Sequence, residues 1–183
     1  MQTDTAASRF RDAVLANGLE HSDEPVTLSS GTPSRDFVDV KRALAAGPDL
    51  KNAACAVLEE LDGIDFDAVG GLTLGADHIG AAIAMQASAG WFVVRKEAKT
   101  HGLKRTIEGV PVTHGTRVVL IDDVISKGGS ILQAYDAVIE AGAEVVAAIT
   151  LVDRGNYAQP LFAERGVPYY SVVTYDDLDI EPL

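Results

Sequence analysis

Two adjacent acids, Asp122 and Asp123, are the residues of this chain whose type and spacing most clearly point to chemistry. They follow an apolar stretch and precede a short polar loop and a helical pattern, all within residues 117–142. Two neighbouring carboxylates repel a phosphate, so they need hydroxyl groups or a cation as partners. The vicinal hydroxyls of a ribose satisfy them, and Mg²⁺ fits between such a sugar and a diphosphate. The pair therefore favours a phosphorylated sugar as the ligand.

The loop that follows the acids has the composition of a phosphate-binding turn. Its two glycines let the backbone close around an anion, and the helix that begins near Ser130 offers free backbone N–H groups. The spacing matches neither a Walker loop nor a GxGxxG dinucleotide fingerprint. We therefore expect ligand contacts from this loop and the residues leading into it: Val124, Ile125, Ser126, Lys127, Gly128, Gly129 and Ser130.

A cluster of basic side chains interrupts an otherwise acidic chain, whose formal net charge is −12. The cluster occupies a single short segment and consists of Arg95, Lys96, Lys99, His101, Lys104 and Arg105. On an acidic protein, such a local positive patch indicates an anionic ligand.

The elements that must position these groups follow from apolar periodicity. Apolar runs typical of strands cover residues 66–70, 92–94, 118–121, 145–152 and 169–173. Helical spacing covers residues 6–16, 48–61, 77–88, 129–141 and 156–165, and isolated β positions occur at Val26, Leu28, Phe37 and Val38. This alternation predicts a parallel sheet covered by helices on both faces, with ligands at the carboxyl ends of its strands. Residues 98–115 are predicted to form a long, mobile loop.

Length and composition limit the remaining possibilities. The 183 residues, 47% of them apolar, fit one folded domain with a substantial core. No secretory signal and no apolar run of roughly 18 to 20 residues is visible, and the single cysteine, Cys55, excludes an internal disulfide. The acidic charge opposes binding to nucleic acid or to a membrane surface. These features predict a cytoplasmic protein that binds neither.

Residues 117–142 resemble the signature of the phosphoribosyltransferases, in which a strand, two acids, a small polar loop, Gly and Ser or Thr follow one another. Further segments resemble the orotate phosphoribosyltransferase family in particular. The resemblance implies the type I phosphoribosyltransferase fold, an α/β fold with a Rossmann-like central parallel sheet flanked by helices. It also implies a single domain over residues 1–183, with a small N-terminal hood at 1–45 and a core at 46–183.

The basic segment, FVVRKEAKTHGLKRTIEG at residues 92–109, resembles the catalytic loop of that family. The resemblance assigns pyrophosphate and phosphate contacts to Arg95, Lys96, Lys99 and His101. Of these, Lys99 and His101 would act mainly in the transition state. Cations that hold a departing diphosphate more strongly as its charge develops would stabilise the transition state. In the family this loop closes over the neighbouring subunit's site, which implies a homodimer.

Three more segments are similar to ligand-binding segments of the family. Residues 69–84 resemble its pyrophosphate loop, where Thr73 can donate a hydrogen bond. Residues 26–42 resemble its hood, where Phe37 can stack on a base, although Thr32 and Asp36 depart from the usual basic and aromatic residues. Arg154 occupies the position that meets the orotate carboxylate, with a surface ion pair to Asp153 as the alternative reading.

The implied reaction transfers the ribose of 5-phosphoribosyl 1-diphosphate to orotate, which yields orotidine 5′-monophosphate and diphosphate, a step of pyrimidine (UMP) biosynthesis. Asp122 and Asp123 would hold the ribose hydroxyls, and Asp123 joins Lys99 and His101 as the catalytic group. Mg²⁺ is the expected cofactor, held mainly by the donor and water and not by direct side-chain ligation.

Other functions remain open at this point. The departures at Thr32 and Asp36 leave room for an enzyme of the same fold that uses a purine or another base. A second alternative is a non-catalytic protein that senses the donor and regulates transcription. A receiver domain with Asp122 or Asp123 as phospho-acceptor is the third, although it would have no RKxxKxHG loop.

Overall fold

The computed structural model describes residues 4–28, 31–96 and 106–183, and all structural statements below concern these residues. The N-terminal part begins with helix α1, Ala6–Ala13, which Thr5 caps and which continues as a π-helical turn, Val14–Gly18. Strands β1, Leu19–Thr27, and β2, Pro33–Val38, then pair antiparallel and form what we call the hood hairpin. The short helix α2, Val40–Ala43, connects the hood hairpin to the rest of the chain.

The remaining elements alternate between helix and strand. They are α3 Gly47–Glu60, β3 Ala68–Leu72, α4 Asp77–Ala87, β4 Gly90–Val94, β5 Ile107–Gly109, β6 Arg117–Ile125, α5 Gly129–Glu140, β7 Glu144–Asp153, α6 Ala158–Ala163 and β8 Tyr169–Thr174, followed by a 3₁₀ turn, Asp176–Leu178. The six strands form one sheet in the order β5-β4-β3-β6-β7-β8. All neighbours are parallel except β5, which pairs antiparallel with β4 at the edge.

Both faces of the sheet are buried, which explains why its strands read as continuous apolar runs. Successive residues of β6 point to opposite faces, so Ile121 packs into the core beneath α1, α3 and α4, while Leu120 packs into the core beneath α5 and α6. Phe10 from α1 is fully buried in the first core and Phe162 from α6 in the second. The sheet is therefore held from both sides, and its carboxyl edge is a rigid platform.

The functional edge of the sheet lies where β3 and β6 are neighbours. From β3 the chain proceeds outward to β4 and β5, and from β6 it proceeds in the other direction to β7 and β8. The loops that leave the carboxyl ends of β3 and β6 consequently diverge and open a crevice between them. The sequence predicted ligand binding at this edge, and the acids lie there.

The predicted Rossmann-like α/β fold is confirmed, and the differences have identifiable causes. The prediction of a loop over residues 98–115 is wrong for residues 107–109, because Ile107–Gly109 pairs with β4. One apolar residue in a three-residue strand is too short a pattern to read. Strand β6 extends past residue 121 to Ile125, since β7 continues to pair with it as far as Asp153. In the part of the chain that is described, no helix has the length and apolar character needed to cross a membrane.

Candidate active site

A cavity of about 400 Å³ opens at the crevice between β3 and β6 and is covered on one side by the hood hairpin. Its walls come from the hood, from the loops after β3, β4 and β6, and from the end of β7. The lining residues are Thr27, Leu28, Phe37, Val38, Lys41, Leu72, Thr73, Leu74, Gly75, Lys96, Asp122, Asp123, Val124, Ser126, Ser130 and Arg154.

The acid pair, Asp122 and Asp123, forms the floor of this cavity. Asp122 is 5% exposed, and its Oδ1 accepts a hydrogen bond of 3.1 Å from the backbone N–H of Asp123. Oδ1 of Asp123 accepts a 2.8 Å hydrogen bond from the backbone N–H of Val124. Gly75 packs against both carboxylates, because a Cβ at this position would lie 2.6 Å from Asp123 Oδ1 and 3.1 Å from Asp122 Oδ1. The loop after β3 can therefore approach the pair only without a side chain.

Burial and mutual repulsion make the two acids unequal. Loss of solvent, followed by the charge of Asp123, raises the pKa of Asp122 to about 7, although the hydrogen bond from Asp123 and the charges of Lys41 and Lys96 oppose this rise. A buried carboxylic acid beside a second carboxylate ionises late because desolvation and like charge both disfavour its anion. At neutral pH the pair therefore carries fewer than two full negative charges on average.

Lys41 provides the counter-charge to the acid pair. Its Nζ lies 2.9 Å from Oδ2 of Asp123, whose side chain is 14% exposed. Partial burial would lower the pKa of Lys41, but the hydrogen bond to Asp123 and the charges of Asp123, Asp39 and Asp122 outweigh it and raise that pKa. The lysine comes from α2, so this ion pair joins the hood to the end of β6.

The loop after β6 has the geometry of an anion-binding turn. Gly128 has φ +80° and precedes α5, whose first N–H groups have no partners within the helix. Ser126 and Ser130 line the cavity at this end. The side chain of Ile125 is buried in the core, and Lys127, Gly128 and Gly129 are not among the lining residues. Ile125 can therefore offer a ligand only its backbone.

Arg154 is an almost fully buried cation at the end of β7, with an exposure of 2%. Its Nη1 donates a 2.9 Å hydrogen bond to the carbonyl of Asp36, and its Nη2 donates a 3.3 Å hydrogen bond to Oγ of Ser34. The buried Nε has no hydrogen-bond partner. Burial lowers the pKa of Arg154 and the charge of Asp36 opposes the change, but a guanidinium remains charged at neutral pH. The hood hairpin thus holds one side of a cation that borders the cavity.

The alternative reading of an Asp153–Arg154 ion pair finds no support, since none joins these two described residues. Asp153 has other partners. Its Oδ1 accepts hydrogen bonds of 3.0 Å from the backbone N–H groups of Gly155 and Asn156, and its Oδ2 accepts one of 2.9 Å from the hydroxyl of Tyr169. Asp153 therefore stabilises the turn after β7 and leaves the Arg154 guanidinium to the cavity and the hood.

The two hood residues that depart from the family pattern, Thr32 and Asp36, differ in their relation to the cavity. Asp36 supplies the carbonyl that holds Arg154, and its Oδ1 lies 2.9 Å from Nδ1 of His21 across the hairpin. Phe37 is 45% exposed and lines the cavity. Thr32 is not a lining residue. The departures thus leave one aromatic ring at the cavity and use the neighbouring position to support the hairpin.

The residues after β3 and β4 form a second side of the site. Thr73 donates a 2.8 Å hydrogen bond to Asp77 Oδ2, so its predicted donor capacity is directed to α4 here. Arg95 forms an ion pair of 3.1 Å with Glu108 of β5. Thr73, Leu74, Arg95 and Lys96 also border an adjoining cavity of about 480 Å³. Space for a second anionic group therefore adjoins the acid pair.

The structure brings most of the predicted site residues to one cavity, while two of them lie outside the described part of the chain. Lys99 and His101, expected in the catalytic group, lie outside the described residues. The sequence analysis missed Lys41, which lies within residues 26–42 but is 82 positions from its partner Asp123. No local pattern signals such a long-range contact; only the need of two buried carboxylates for a nearby cation could have suggested one.

Comparison with known proteins gives a consistent result. A family model described as "Phosphoribosyl transferase domain" matches residues 41–164. The orotate phosphoribosyltransferase of Streptomyces avermitilis is 44% identical over 162 residues, which cover 85% of this chain and 88% of the relative. That of Corynebacterium glutamicum is 43% identical over 177 residues and 96% of each chain. A crystal structure of Mycobacterium tuberculosis orotate phosphoribosyltransferase in complex with 5-phospho-α-D-ribosyl 1-diphosphate is similar with a TM-score of 0.78 and 33% identity, covering 96% of this chain and 99% of that one.

The raised pKa of Asp122 predicts a pH-dependent stability. The unfolded acid ionises near 3.8 and the folded one near 7, so the folded state loses stability as the pH rises through this window. Asp122→Asn keeps an oxygen for the Asp123 N–H and removes this loss. Its free energy of unfolding relative to wild type should rise by about 2 to 3 kcal/mol between about pH 5 and about pH 8, since each pKa unit is worth roughly 1.4 kcal/mol.

Urea denaturation at both pH values measures this difference. Asp65→Asn, at an exposed position, serves as the control and should show no pH-dependent change. An Asp122→Asn difference that is the same at both pH values would show that Asp122 does not titrate late.

Proposed function

The chain belongs to the orotate phosphoribosyltransferase family, and we propose that it transfers the 5-phosphoribosyl group of 5-phosphoribosyl 1-diphosphate to orotate. The products are orotidine 5′-monophosphate and diphosphate, which makes the reaction a step of pyrimidine biosynthesis. One observation carries the proposal: the acid pair, the loop serines and Arg154 border a single cavity in a chain 44% identical to a named member of the family.

The acid pair provides the binding site for the ribose. Carboxylate oxygens accept hydrogen bonds from the two sugar hydroxyls, and an ionised acceptor makes such bonds roughly twice as strong as a neutral one does. The loop from Ser126 to Ser130 follows the acid pair in the chain, and it can bind the 5-phosphate through hydroxyls and backbone N–H groups. Sugar and phosphate are thus bound by adjacent parts of one strand–loop–helix unit, which fixes the position of the anomeric carbon.

Arg154 supports orotate as the acceptor over a purine. Orotate carries a carboxylate, and a buried guanidinium that borders the cavity is the side chain best suited to bind it. A purine has no anionic group to compensate this cation. Phe37 lies exposed at the same cavity and can cover one face of the base. The relatives' names support the same base.

Magnesium fits the site as a partner of the donor. Mg²⁺ prefers oxygen ligands and retains water, and it commonly binds phosphate oxygens of a substrate. The described residues contain no group of three or more His, Cys, Asp or Glu side chains that could hold a metal by themselves. We propose that donor oxygens and water ligate the ion, while the negative charge of the acid pair favours its presence. When bound, the ion neutralises part of the diphosphate charge.

The departing diphosphate needs positive charge beside the anomeric carbon. Lys96 lines the main cavity and, with Arg95, the adjoining one, so both are proposed to contact this group. Lys99 and His101 are proposed to complete the contacts when the leaving group develops its charge. We further propose a homodimer in which the segment that carries them serves the neighbouring subunit's site.

A direct assay tests this function. We expect the protein to consume orotate in the presence of donor and Mg²⁺, measured by the loss of ultraviolet absorbance and by release of diphosphate. Adenine, guanine, hypoxanthine and uracil under the same conditions should give no product. Turnover of a purine but not of orotate would contradict the proposed base, and donor binding without turnover of any base would favour a regulator.

Replacing Arg154 should affect the base more than the donor. Arg154→Lys keeps a positive charge but removes the planar pair of donors, so we expect the KM for orotate to rise about 10- to 100-fold. The KM for the donor should change less than about threefold, because no proposed donor contact is lost. Steady-state kinetics with each substrate varied in turn separates the two.

Arg165→Lys is the matched control, since Arg165 lies just after α6 and contacts the Leu161 carbonyl and the Tyr135 ring. It should leave both KM values unchanged. Equal increases in both KM values for Arg154→Lys would indicate loss of the hood hairpin and would contradict a specific base contact.

Gly75 should be essential for donor binding. An added methyl group at this position would lie 2.6 Å from Asp123 Oδ1, closer than any carbon–oxygen contact allows. Gly75→Ala therefore displaces the acid pair or the loop after β3, and we expect the KM for the donor to rise at least about tenfold, the cost of one lost charged hydrogen bond. Gly47→Ala, where an added methyl group meets nothing within 4 Å, is the control and should have wild-type kinetics. Wild-type kinetics in Gly75→Ala would show that this loop does not constrain the acids.

A further inference from the structure

Lys41 contacts the acid pair, although the sequence did not predict this contact and the proposed chemistry does not include it. It lies in α2, immediately after the hood hairpin, and its ammonium group donates a 2.9 Å hydrogen bond to Oδ2 of Asp123. The neighbouring residue Arg42 points elsewhere and pairs with Glu20 of β1. Of these two adjacent cations, Lys41 contacts the candidate active site, whereas Arg42 contacts the hood hairpin.

Asp123 has both of its oxygens engaged by this arrangement. Oδ1 accepts from the backbone N–H of Val124, and Oδ2 accepts from Lys41. Gly75 lies close to the same carboxylate on a third side, since an added methyl group there would be 2.6 Å from Oδ1. Each carboxylate oxygen has a second lone pair, so a sugar hydroxyl can still bind while these contacts persist.

Among the described residues, the cation that forms an ion pair with the acid pair is Lys41. On α2, Asp39 caps the helix next to Lys41, and on α4, Asp77 and His78 face the same region. Burial lowers the pKa of His78, so its ring is mainly neutral near pH 7. The charge of Lys96, after β4, also lowers the pKa of Asp122, but by less than the charge of Lys41 does. Further acids thus lie near the pair, and Lys41 supplies positive charge to it.

We propose that Lys41 is a positioning residue for the transfer reaction, which fixes the orientation of the Asp123 carboxylate and supplies a counter-charge to the acid pair, so that the pair can accept the ribose hydroxyls. This inference rests on the proposed function. An ion pair in which one partner is half exposed contributes little to folding, and the side chain of Lys41 is 50% exposed. The contact therefore acts on the chemistry of the site more than on the stability of the fold.

The pH dependence of donor binding tests this role. Donor affinity, measured by titration calorimetry with 5-phosphoribosyl 1-diphosphate and Mg²⁺ from about pH 5 to about pH 9, should increase as the acid pair ionises. Lys41→Met and Lys41→Gln remove the cation, so the midpoint of this increase should move up by about one pH unit. At neutral pH the Kd should then be weakened about tenfold. Lys41→Arg should restore the wild-type midpoint, and Arg42→Met should leave it unchanged.

The outcomes separate this inference from the proposed function. Wild-type protein that binds no donor at any pH would overturn both. Wild-type protein that binds the donor, with Lys41→Met and Lys41→Gln weakened equally at every pH, would overturn the positioning role alone and indicate a direct contact between Lys41 and the donor. Circular dichroism identifies a variant that fails to fold, and Lys41→Gln, which retains a hydrogen-bond donor, then provides the measurement.

Discussion

The rest of the site depends on two adjacent acidic side chains at the end of a buried strand. Asp122 and Asp123 extend β6 beyond its apolar part, where β7 still pairs with it and solvent has little access. Such a pair is costly unless neighbouring groups supply hydrogen bonds and positive charge. The backbone N–H groups of Asp123 and Val124 and the ammonium group of Lys41 meet this requirement, and Gly75 leaves room for the two carboxylates. A ligand with two adjacent hydroxyls can also donate hydrogen bonds to the pair. The same need for hydrogen bonds that makes the buried acids costly therefore favours such a ligand.

The hood makes this arrangement possible by reaching the core at two points. Lys41 binds Asp123 at the end of the cavity proposed for the ribose, and the backbone of Asp36 binds Arg154 at the end proposed for the base. Both contacts join the first 45 residues to the carboxyl edge of the sheet. Displacement of the hood would therefore disturb both ends of the cavity together, so the two substrates bind to a site that the hood has already assembled.

The sequence predicts what is local and misses what depends on long-range contacts. Strong apolar periodicity was sufficient for the parallel sheet and its helices, and the residue types from Asp122 to Ser130 were sufficient to predict a glycine-containing turn between a strand and a helix. The short edge strand Ile107–Gly109 escaped because its pairing with β4, not its composition, makes it a strand. The partners of Arg154 and Asp123 escaped for the same reason, because the hood residues that contact them are more than eighty positions away in the chain. Lys99 and His101 remain predictions from the family resemblance.

A crystal structure with donor and Mg²⁺ bound is the most direct test of the proposal that the acid pair binds the sugar. The account predicts carboxylate oxygens of Asp122 and Asp123 within about 3 Å of the two ribose hydroxyls, with the 5-phosphate against the turn from Ser126 to Ser130. A donor bound with its ribose hydroxyls turned away from both acids, or with a phosphate in their place, would contradict it.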